Sequence, residues 1–294
     1  MPFDFNDMAR RIRALGTQIA PSSIEGTAAL YAPLHEREPY EGVSVTRDLR
    51  YGEHQRHRLD IFHGARGAHG ADVLLFVHGG GFVGGDKKNP GSPYNDNVAL
   101  WAVRHGLIGI NMTYRLAPQA QWPSGGQDVA AAVAWVRDHV AQYGGEPRRI
   151  FVLGTSAGAV HVATFVTRGE LHGPQGAGIA GAILLSGIYK LALMPSNPMH
   201  TAYYGSDPRV LERASTFDGL LETRVPLMFV LTEMDPADFQ RQGLEIIQAW
   251  FARHGRWPRF VHMPGHNHLS STMHLNSPDG SLGVQLLEFM AGTP

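Results

Sequence analysis

Short apolar runs alternate with amphipathic stretches along most of this chain. Six of the runs have the length and the two-sided hydrophobicity of buried strands. They cover residues 73–78, 107–115, 149–156, 181–187, 225–235 and 259–265. Helix-like patterns lie between them, over residues 95–106, 127–144, 157–169 and 237–255. This alternation predicts an α/β fold in which helices cover both faces of a doubly wound, mostly parallel sheet.

The rest of the chain extends this prediction. Residues 42–52 and 57–64 are strand candidates for an antiparallel hairpin, which brings the predicted sheet to about eight strands. Residues 1–40 are predicted to be helical and looped, close to the functional site. Residues 188–222, rich in Pro, Ser, Tyr and Met, interrupt the alternation and predict an irregular, cap-like insertion. Because no linker or repeat is visible, we expect a single domain over residues 1–294.

Two local signals refine the helices. Asp128 precedes an alanine-rich apolar stripe, which predicts that it caps the N-terminus of a helix. Gly106, Gly144 and Gly255 fall where three of the predicted helices should end.

Composition narrows the function classes. A chain of 294 residues with 43% hydrophobic residues is long enough to bury a large core. The formal net charge of -1, with no Lys/Arg run longer than two, gives no support for a nucleic-acid or membrane partner. The absence of cysteine excludes disulfides, thiolate metal sites and a cysteine nucleophile. With no signal-peptide core or membrane-length apolar run, we expect a cytoplasmic protein, and nothing in the sequence indicates a homo-oligomer.

A glycine-rich loop follows the first parallel strand. Residues 79–84 (GGGFVG) satisfy the G-x-G-x-x-G pattern of dinucleotide-binding folds. That mechanism requires a helix to begin inside the motif, whereas Pro90 and Pro93 follow here, and no P-loop pattern is present. The loop therefore predicts bare backbone N–H groups that approach something other than a phosphate.

The sequence GTSAG (154–158) lies between a predicted strand and a predicted helix. A serine in G-x-S-x-G at such a turn is typical of the nucleophile elbow, which presents the hydroxyl clear of the sheet. The alternative interpretation is a serine that only caps the helix. Together with the glycine loop, the pattern predicts that Ser156 is a nucleophile. Acyl transfer creates an oxyanion, and we assign its N–H donors to Gly80, Gly81 and Ala157.

A serine nucleophile needs a base and a carboxylate that orients it. Acid candidates are Glu233, Asp235 and Asp238, although Asp235 before Pro236 is also a common helix cap. Base candidates near the chain end are His262, His266, His268 and His274, of which His262 should be packed within a strand.

Four motifs together carry a resemblance to a known family. In chain order they are HGGGF (78–82), YRLAP (114–118), GTSAGA (154–159) and DP (235–236). They resemble the esterases of the hormone-sensitive-lipase-like branch of the α/β-hydrolase superfamily. The resemblance implies the α/β-hydrolase fold, a Ser/Asp/His triad in that order, carboxylic ester substrates and no cofactor.

The resemblance also selects among the candidates. The D-P motif favours Asp235 as the acid. A segment similar to G-x-x-H followed by an apolar residue favours His268 as the base, with His266 as the alternative.

The elbow GTSAGA departs from the usual GDSAGG and is similar to the elbow of kynurenine formamidases. Those enzymes usually carry HGGYW where this chain has HGGGF. An arylformamidase is therefore the alternative enzyme, and a non-catalytic ligand receptor on the same fold is the alternative class.

The predicted pocket follows from the loop. Phe82 directly follows the glycine triad and should border the acyl pocket. An apolar pocket with few polar anchors predicts small to medium acyl or aryl esters as substrates. No metal is expected, because nothing else in the chain completes a ligand set around the histidine cluster.

Overall fold

A computed structural model describes residues 3–65, 69–174 and 176–293 of the chain. Within them, eight strands form one sheet. The strands are β1 (Val43–Arg50), β2 (Arg58–Gly64), β3 (Ala71–Val77), β4 (Ile108–Met112), β5 (Gly145–Thr155), β6 (Gly181–Leu185), β7 (Leu227–Met234) and β8 (Arg259–Asn267).

The helices follow the predicted alternation. They are α1 (Phe5–Ala14), α2 (Pro21–Tyr31), α3 (Asp96–Arg104), α4 (Ser124–His139), α5 (Ala157–Thr167), α6 (Pro198–Tyr204), α7 (Pro208–Ala214), α8 (Phe217–Glu222), α9 (Ala237–His254), α10 (Ser270–Met273) and α11 (Gly283–Ala291). None of the helices in the described ranges combines the length and hydrophobicity needed to cross a bilayer.

The strand order is β1-β2-β4-β3-β5-β6-β7-β8. The β1–β2 and β2–β4 pairs are antiparallel, and all other neighbours are parallel. The predicted sheet of about eight mostly parallel strands and its N-terminal hairpin are therefore confirmed. Because parallel strands share one carboxyl edge, the segments that follow β3, β5, β7 and β8 emerge side by side.

Two apolar layers cover the sheet, as the two-sided hydrophobicity of the strands predicts. Alternate residues of β3 illustrate this, since Leu75 packs in one layer and Leu74 in the other. The first layer includes side chains of α4, α5 and α8, and the second includes side chains of α3 and α11. Both leucines are at most 1% exposed, so the sheet is a rigid base for the loops at its edge.

Several local expectations can now be compared with the structure. Residues 3–40 contain two helices and a turn, as expected, whereas positions 1–2 of the predicted N-terminal helix lie outside the described residues. Gly144 and Gly255 end helical segments in the left-handed conformation, and Gly106 follows the end of α3 with φ +80°. These three predicted helix ends are confirmed.

The expectation for Asp128 was wrong. Helix α4 begins at Ser124, so Asp128 lies inside it and does not cap it. Its buried carboxylate instead accepts hydrogen bonds from the backbone N–H and the guanidinium of Arg115, at 2.7 and 2.9 Å. It also pairs with His57 at 3.1 Å. Asp128 therefore pairs with basic side chains from outside the helix and does not mark the start of the helix.

The expectation of an irregular structure over residues 188–222 was also wrong. This insertion forms three short helices, α6, α7 and α8, which begin after Asn197, Asp207 and Thr216. The side chains of Asn197 and Asp207 cap α6 and α7, because each accepts a hydrogen bond from a backbone N–H in the first turn of its helix.

Candidate active site

Ser156 occupies the turn between β5 and α5 in a strained backbone conformation, with φ 55° and ψ −121°. A non-glycine residue rarely adopts a positive φ, and such strain is concentrated at functional sites. The backbone holds the turn, since Ser156 donates its N–H to Leu185 at 2.9 Å. A Cβ atom at Gly154 would overlap the backbone of Gly158, and one at Gly158 would overlap the carbonyl oxygen of Val77. Close packing therefore explains both glycines of the G-x-S-x-G pattern.

The glycine loop lies directly beside this turn. Val77, which ends β3, is in register with Gly154 of β5, so the two segments leave the sheet as neighbours. A Cβ atom at Gly79 would lie 3.2 Å from the Cβ of Ser156, and Gly80 and Gly81 have φ angles of +131° and +59°. Only glycine allows this approach and these dihedral angles without strain.

Three backbone N–H groups are available at this point. Those of Gly80, Gly81 and Ala157 donate no hydrogen bond to another protein atom within the described part of the chain. All three residues line the same cavity as Ser156. Unpaired N–H donors that face a cavity are suited to bind an oxygen that becomes negatively charged.

The structure brings Asp235 and His268 together. Asp235 directly follows β7 and His268 directly follows β8, and Oδ1 of the carboxylate lies 2.6 Å from Nδ1 of the imidazole. Nδ1 therefore faces the acid and leaves Nε2 as the atom that can accept a proton. Nε2 is buried and has no hydrogen-bond partner among the described residues. His268 and Ser156 line the same cavity, which measures about 610 Å³.

The Asp235 carboxylate is fully buried yet charged. Burial by itself raises the pKa of this carboxyl group, but hydrogen bonds from His268, Ser186 and the backbone of Thr232 outweigh it, so the pKa is lowered. Both Ser186 Oγ and the N–H of Thr232 donate to Oδ2 at 2.7 Å. The acid therefore keeps its negative charge and its orientation towards the imidazole.

The other acid candidates have different surroundings. Glu233 accepts two hydrogen bonds from the Arg13 guanidinium, at 2.9 and 2.8 Å, and one from the N–H of Gly265 at 2.6 Å. The hydrogen bonds from Arg13 and Gly265 lower the pKa of Glu233 to about 2. Asp238 lines the cavity, but among the described residues it forms no hydrogen bond or ion pair with a base candidate, and His268 pairs with Asp235 instead. Neither carboxylate is placed to orient His268.

The remaining histidines also differ from His268. His266, the alternative base, is buried away from the cavity, with Nδ1 3.1 Å from Ser270 Oγ and Nε2 3.5 Å from Asp279. Burial lowers its pKa to about 3. His262 was expected to be packed, but it is exposed, because β8 is an edge strand of the sheet.

His78 holds the glycine loop. Its Nδ1 lies 2.6 Å from the carbonyl oxygen of Gly79, and its ring stacks on Tyr114 at 4.4 Å. Burial lowers the pKa of the imidazole to about 4, so it stays neutral at pH 7.

Phe82 lines the cavity, while its ring is only 2% exposed. The ring is parallel to that of Tyr203 with the centroids 4.5 Å apart, and it contacts His161 and Tyr204 edge-on. The side chain thus forms one wall of the cavity from an aromatic cluster that fixes its position.

Sequence reasoning missed several residues of the cavity. Residues from the N-terminal segment and from the insertion contribute to its walls, namely Ile19, Ile24, Met194, Asn197, Met199 and His200. Ser186 was missed too, although its place at the carboxyl end of β6, beside β7, is where a polar partner of Asp235 would be sought.

The fold is that of an α/β-hydrolase, and it places Ser156 and His268 in one cavity with Asp235 hydrogen-bonded to His268. A family model described as BD-FAE matches residues 59–173, a range that contains the glycine loop and Ser156 but ends before Asp235. The chain is 33% identical to the probable carboxylic ester hydrolase LipM of Mycobacterium tuberculosis over 154 residues, which is 51% of this chain and 34% of that protein. Carboxylesterase NlhH of the same organism is 41% identical over 87 residues, 29% of this chain and 26% of that protein. The chain spans about a third of the length of these curated relatives.

Solved structures cover nearly the whole chain at lower identity. A phosphonate-inhibited esterase B from Lactobacillus rhamnosis matches with a TM-score of 0.73 and 19% identity, over 98% of this chain and 96% of that one. An esterase from the bacterial hormone-sensitive lipase family matches with a TM-score of 0.70 and 19% identity, over 100% and 99% of the two chains. These likenesses establish the α/β-hydrolase fold. With the sequence matches, they confirm the resemblance to hormone-sensitive-lipase-like esterases.

Proposed function

We propose that this protein is a serine carboxylesterase in which Ser156 attacks, His268 transfers the proton and Asp235 orients the imidazole. One observation carries the proposal: a serine on a strained strand-to-helix turn shares a cavity with three unpaired N–H groups and with a histidine hydrogen-bonded to a buried carboxylate. The similarity to proteins named as esterases supports the same class.

The chemistry proceeds in two halves. Ser156 Oγ adds to the ester carbonyl carbon while its proton passes to Nε2 of His268, and the new oxyanion binds the N–H groups of Gly80, Gly81 and Ala157. The intermediate then expels the alcohol, which takes the proton from His268, and an acyl-serine remains. Water adds to the acyl carbon in the same way, His268 returns a proton to Ser156, and the carboxylic acid leaves.

The cavity supports small to medium acyl or aryl esters as substrates. Its walls are mostly apolar, with Ile188, Met194, Met199 and Phe239 among the lining residues. A volume of about 610 Å³ is within the range of small-molecule sites. The arylformamidase alternative uses the same triad, but no feature of the described cavity favours a formyl amide over an ester.

Replacing the nucleophile tests the proposal. We expect Ser156→Ala to fold normally and to lose at least about 1000-fold in kcat towards p-nitrophenyl butyrate, because a triad fails as a unit when its nucleophile is removed. A phosphonate probe should add one label to the wild-type peptide containing Ser156 and none to the variant.

Two results would count against the proposal. Folded wild-type protein that stays unlabelled, or a variant that keeps most of its activity, would mean that another residue attacks. Turnover of N-formylkynurenine well above that of p-nitrophenyl acetate and butyrate would favour the arylformamidase.

A further inference from the structure

We propose that the N-terminal segment positions the catalytic base, and that Thr27 and Asn267 are the positioning residues through which it acts. The inference rests on the proposed serine esterase function and deepens it by giving residues 3–40 a role. Thr27 lies on α2, and Asn267 immediately precedes His268.

Asn267 shapes the turn that carries His268. Its side-chain oxygen accepts hydrogen bonds from the backbone N–H groups of Leu269 and Ser270, at 3.2 and 2.9 Å. Its own N–H donates to Ser270 Oγ at 2.9 Å. His268 lies inside the turn that these contacts close. The direction in which its side chain leaves the backbone therefore depends on Asn267.

Thr27 fixes the Asn267 side chain in a single orientation. The Thr27 hydroxyl is fully buried and donates its one proton to the carbonyl oxygen of Ser23 at 2.7 Å. Its oxygen is then left as an acceptor, and Asn267 Nδ2 donates to it at 2.9 Å. The amide nitrogen must therefore face α2, so the amide oxygen faces the N–H groups of the turn.

Helix α1 makes a second contact, with the strands β7 and β8 that precede the acid and the base. Arg13 binds Glu233, which lies two residues before Asp235, and Glu233 in turn accepts the N–H of Gly265, three residues before His268. A Cβ atom at Gly265 would lie 2.7 Å from the Cβ of Ala9, so the helix packs directly on this backbone. The N-terminal segment thus contacts both strands that deliver the acid and the base.

Positioning of this kind matters because few other contacts hold His268. Its Nε2 has no protein partner among the described residues, and Nδ1 binds only Asp235. The ring contacts Phe239 with the centroids 4.7 Å apart, and its backbone oxygen accepts from Ser271 at 2.7 Å. A shift of the turn would move Nε2 relative to Ser156, and small misplacements of catalytic groups are costly in rate.

The experiment measures full-length Thr27→Val, which keeps the shape of the side chain and removes its hydroxyl. With p-nitrophenyl butyrate we expect kcat to fall at least about tenfold while KM stays within about twofold, because the cavity is unchanged and the base is displaced. Thr27→Ser restores the hydroxyl and should recover most of kcat. In NMR, the deshielded Nδ1 proton that His268 shares with Asp235 should broaden in Thr27→Val and persist in Thr27→Ser.

Thr164→Val is the matched control, since Thr164 is also a buried helical threonine whose hydroxyl donates to the carbonyl four residues earlier, at 2.9 Å. It should keep the wild-type kcat.

Asn267→Ser tests the other partner of the hydrogen bond. The serine hydroxyl can still accept a hydrogen bond from the N–H groups of the turn, but it does not reach Thr27. This variant should therefore lose as much kcat as Thr27→Val. The double variant should lose no more than either single one, because both remove the same contact. If Thr27→Val does not fold, Asn267→Ser takes its place in the comparison.

A Thr27→Val protein with wild-type kcat, an equal loss in Thr164→Val, or additive losses in the double variant would overturn the positioning role. Wild-type protein without activity on any ester would instead refute the proposed function, so the two failures are distinguishable.

Discussion

The two oxygens of the Asp235 carboxylate have different partners, and the difference defines a role for Ser186. Oδ1 faces His268, whereas Oδ2 accepts from Ser186 and from the backbone of Thr232. Ser186 itself has a positive φ of 47°, an uncommon conformation for serine. Its strained backbone directs a hydroxyl at the acid, and hydrogen bonds to charged groups contribute about 1.5–3 kcal/mol each.

We therefore expect Ser186→Ala to lower kcat/KM about tenfold, because Asp235 loses a donor that stabilises its charged form. Ser186→Gly relieves the backbone strain but also lacks the hydroxyl, so it should lose as much. Steady-state kinetics with p-nitrophenyl butyrate measures both. Full activity in either variant would show that Thr232 alone suffices to hold the acid.

Individual residues differed in how far the sequence predicted them. Ser156, Asp235 and His268 could be proposed because each belongs to a local motif at the end of a strand. In the structure, Ser156 and His268 line one cavity, and Asp235 is buried and hydrogen-bonded to His268. Thr27 gave no such signal, since its partner Asn267 is 240 residues away in the chain. The Asp128 prediction failed for a different reason, because α4 begins four residues earlier, at Ser124, and the carboxylate binds Arg115 of the preceding loop instead of the helix start.

At the scale of elements, α6 covers the glycine loop. Met199 on this helix lies so close to Gly81 that a Cβ atom on the glycine would overlap its sulfur atom. Met199 lines the cavity and narrows the space next to Gly81, a proposed oxyanion donor. Because the residue is 45% exposed, it does not belong to the hydrophobic core. Methionine is a flexible wall for such a space.

Met199→Ala should therefore widen the cavity with little loss of stability. We expect the ratio of kcat/KM for p-nitrophenyl octanoate to that for p-nitrophenyl acetate to rise at least about fivefold, since space and not chemistry limits the longer chain. Leu244→Ala, at an exposed site of α9 that does not line the cavity, is the control. An unchanged ratio in Met199→Ala would exclude this helix as a determinant of chain length.

The insertion that carries α6 shows where element prediction failed. The strands were predictable because each is apolar on both faces, which is the pattern of a covered parallel sheet. Helices α6 and α7 are only seven residues long, too short for their periodicity to stand out. Their starts were nevertheless encoded, because Asn197-Pro198 and Asp207-Pro208 each combine a capping side chain with proline at the first helical position.

For the whole molecule, the histidines link protonation to stability. Burial is the largest cause that lowers the pKa of seven of the 16 histidines in the chain. These are His35, His57, His78, His161, His200, His266 and His274. The pKa is lowered to about 4 for His78 and to about 3 for His161 and His266. The folded protein therefore keeps these rings neutral at a pH where the unfolded chain protonates them.

This difference predicts an acid-sensitive fold. As the pH falls below 6.5, the unfolded chain gains protons that the folded chain does not accept until about pH 4 at His78 and about pH 3 at His161. His78 and His161 each lower the free energy of unfolding by about 2 kcal/mol between pH 7 and pH 5. This pH range lies above the ordinary pKa of carboxyl groups. Since the free energy of unfolding of a domain is only about 5–15 kcal/mol, urea unfolding should show a steep loss of stability from pH 7 to pH 5.

His161→Phe removes one of these rings. The loss of unfolding free energy from pH 7 to pH 5 should therefore be smaller in this variant by about 2 kcal/mol. A free energy of unfolding that stays constant from pH 7 to pH 5 in the wild type would mean that the buried rings take up protons as readily as the unfolded chain does.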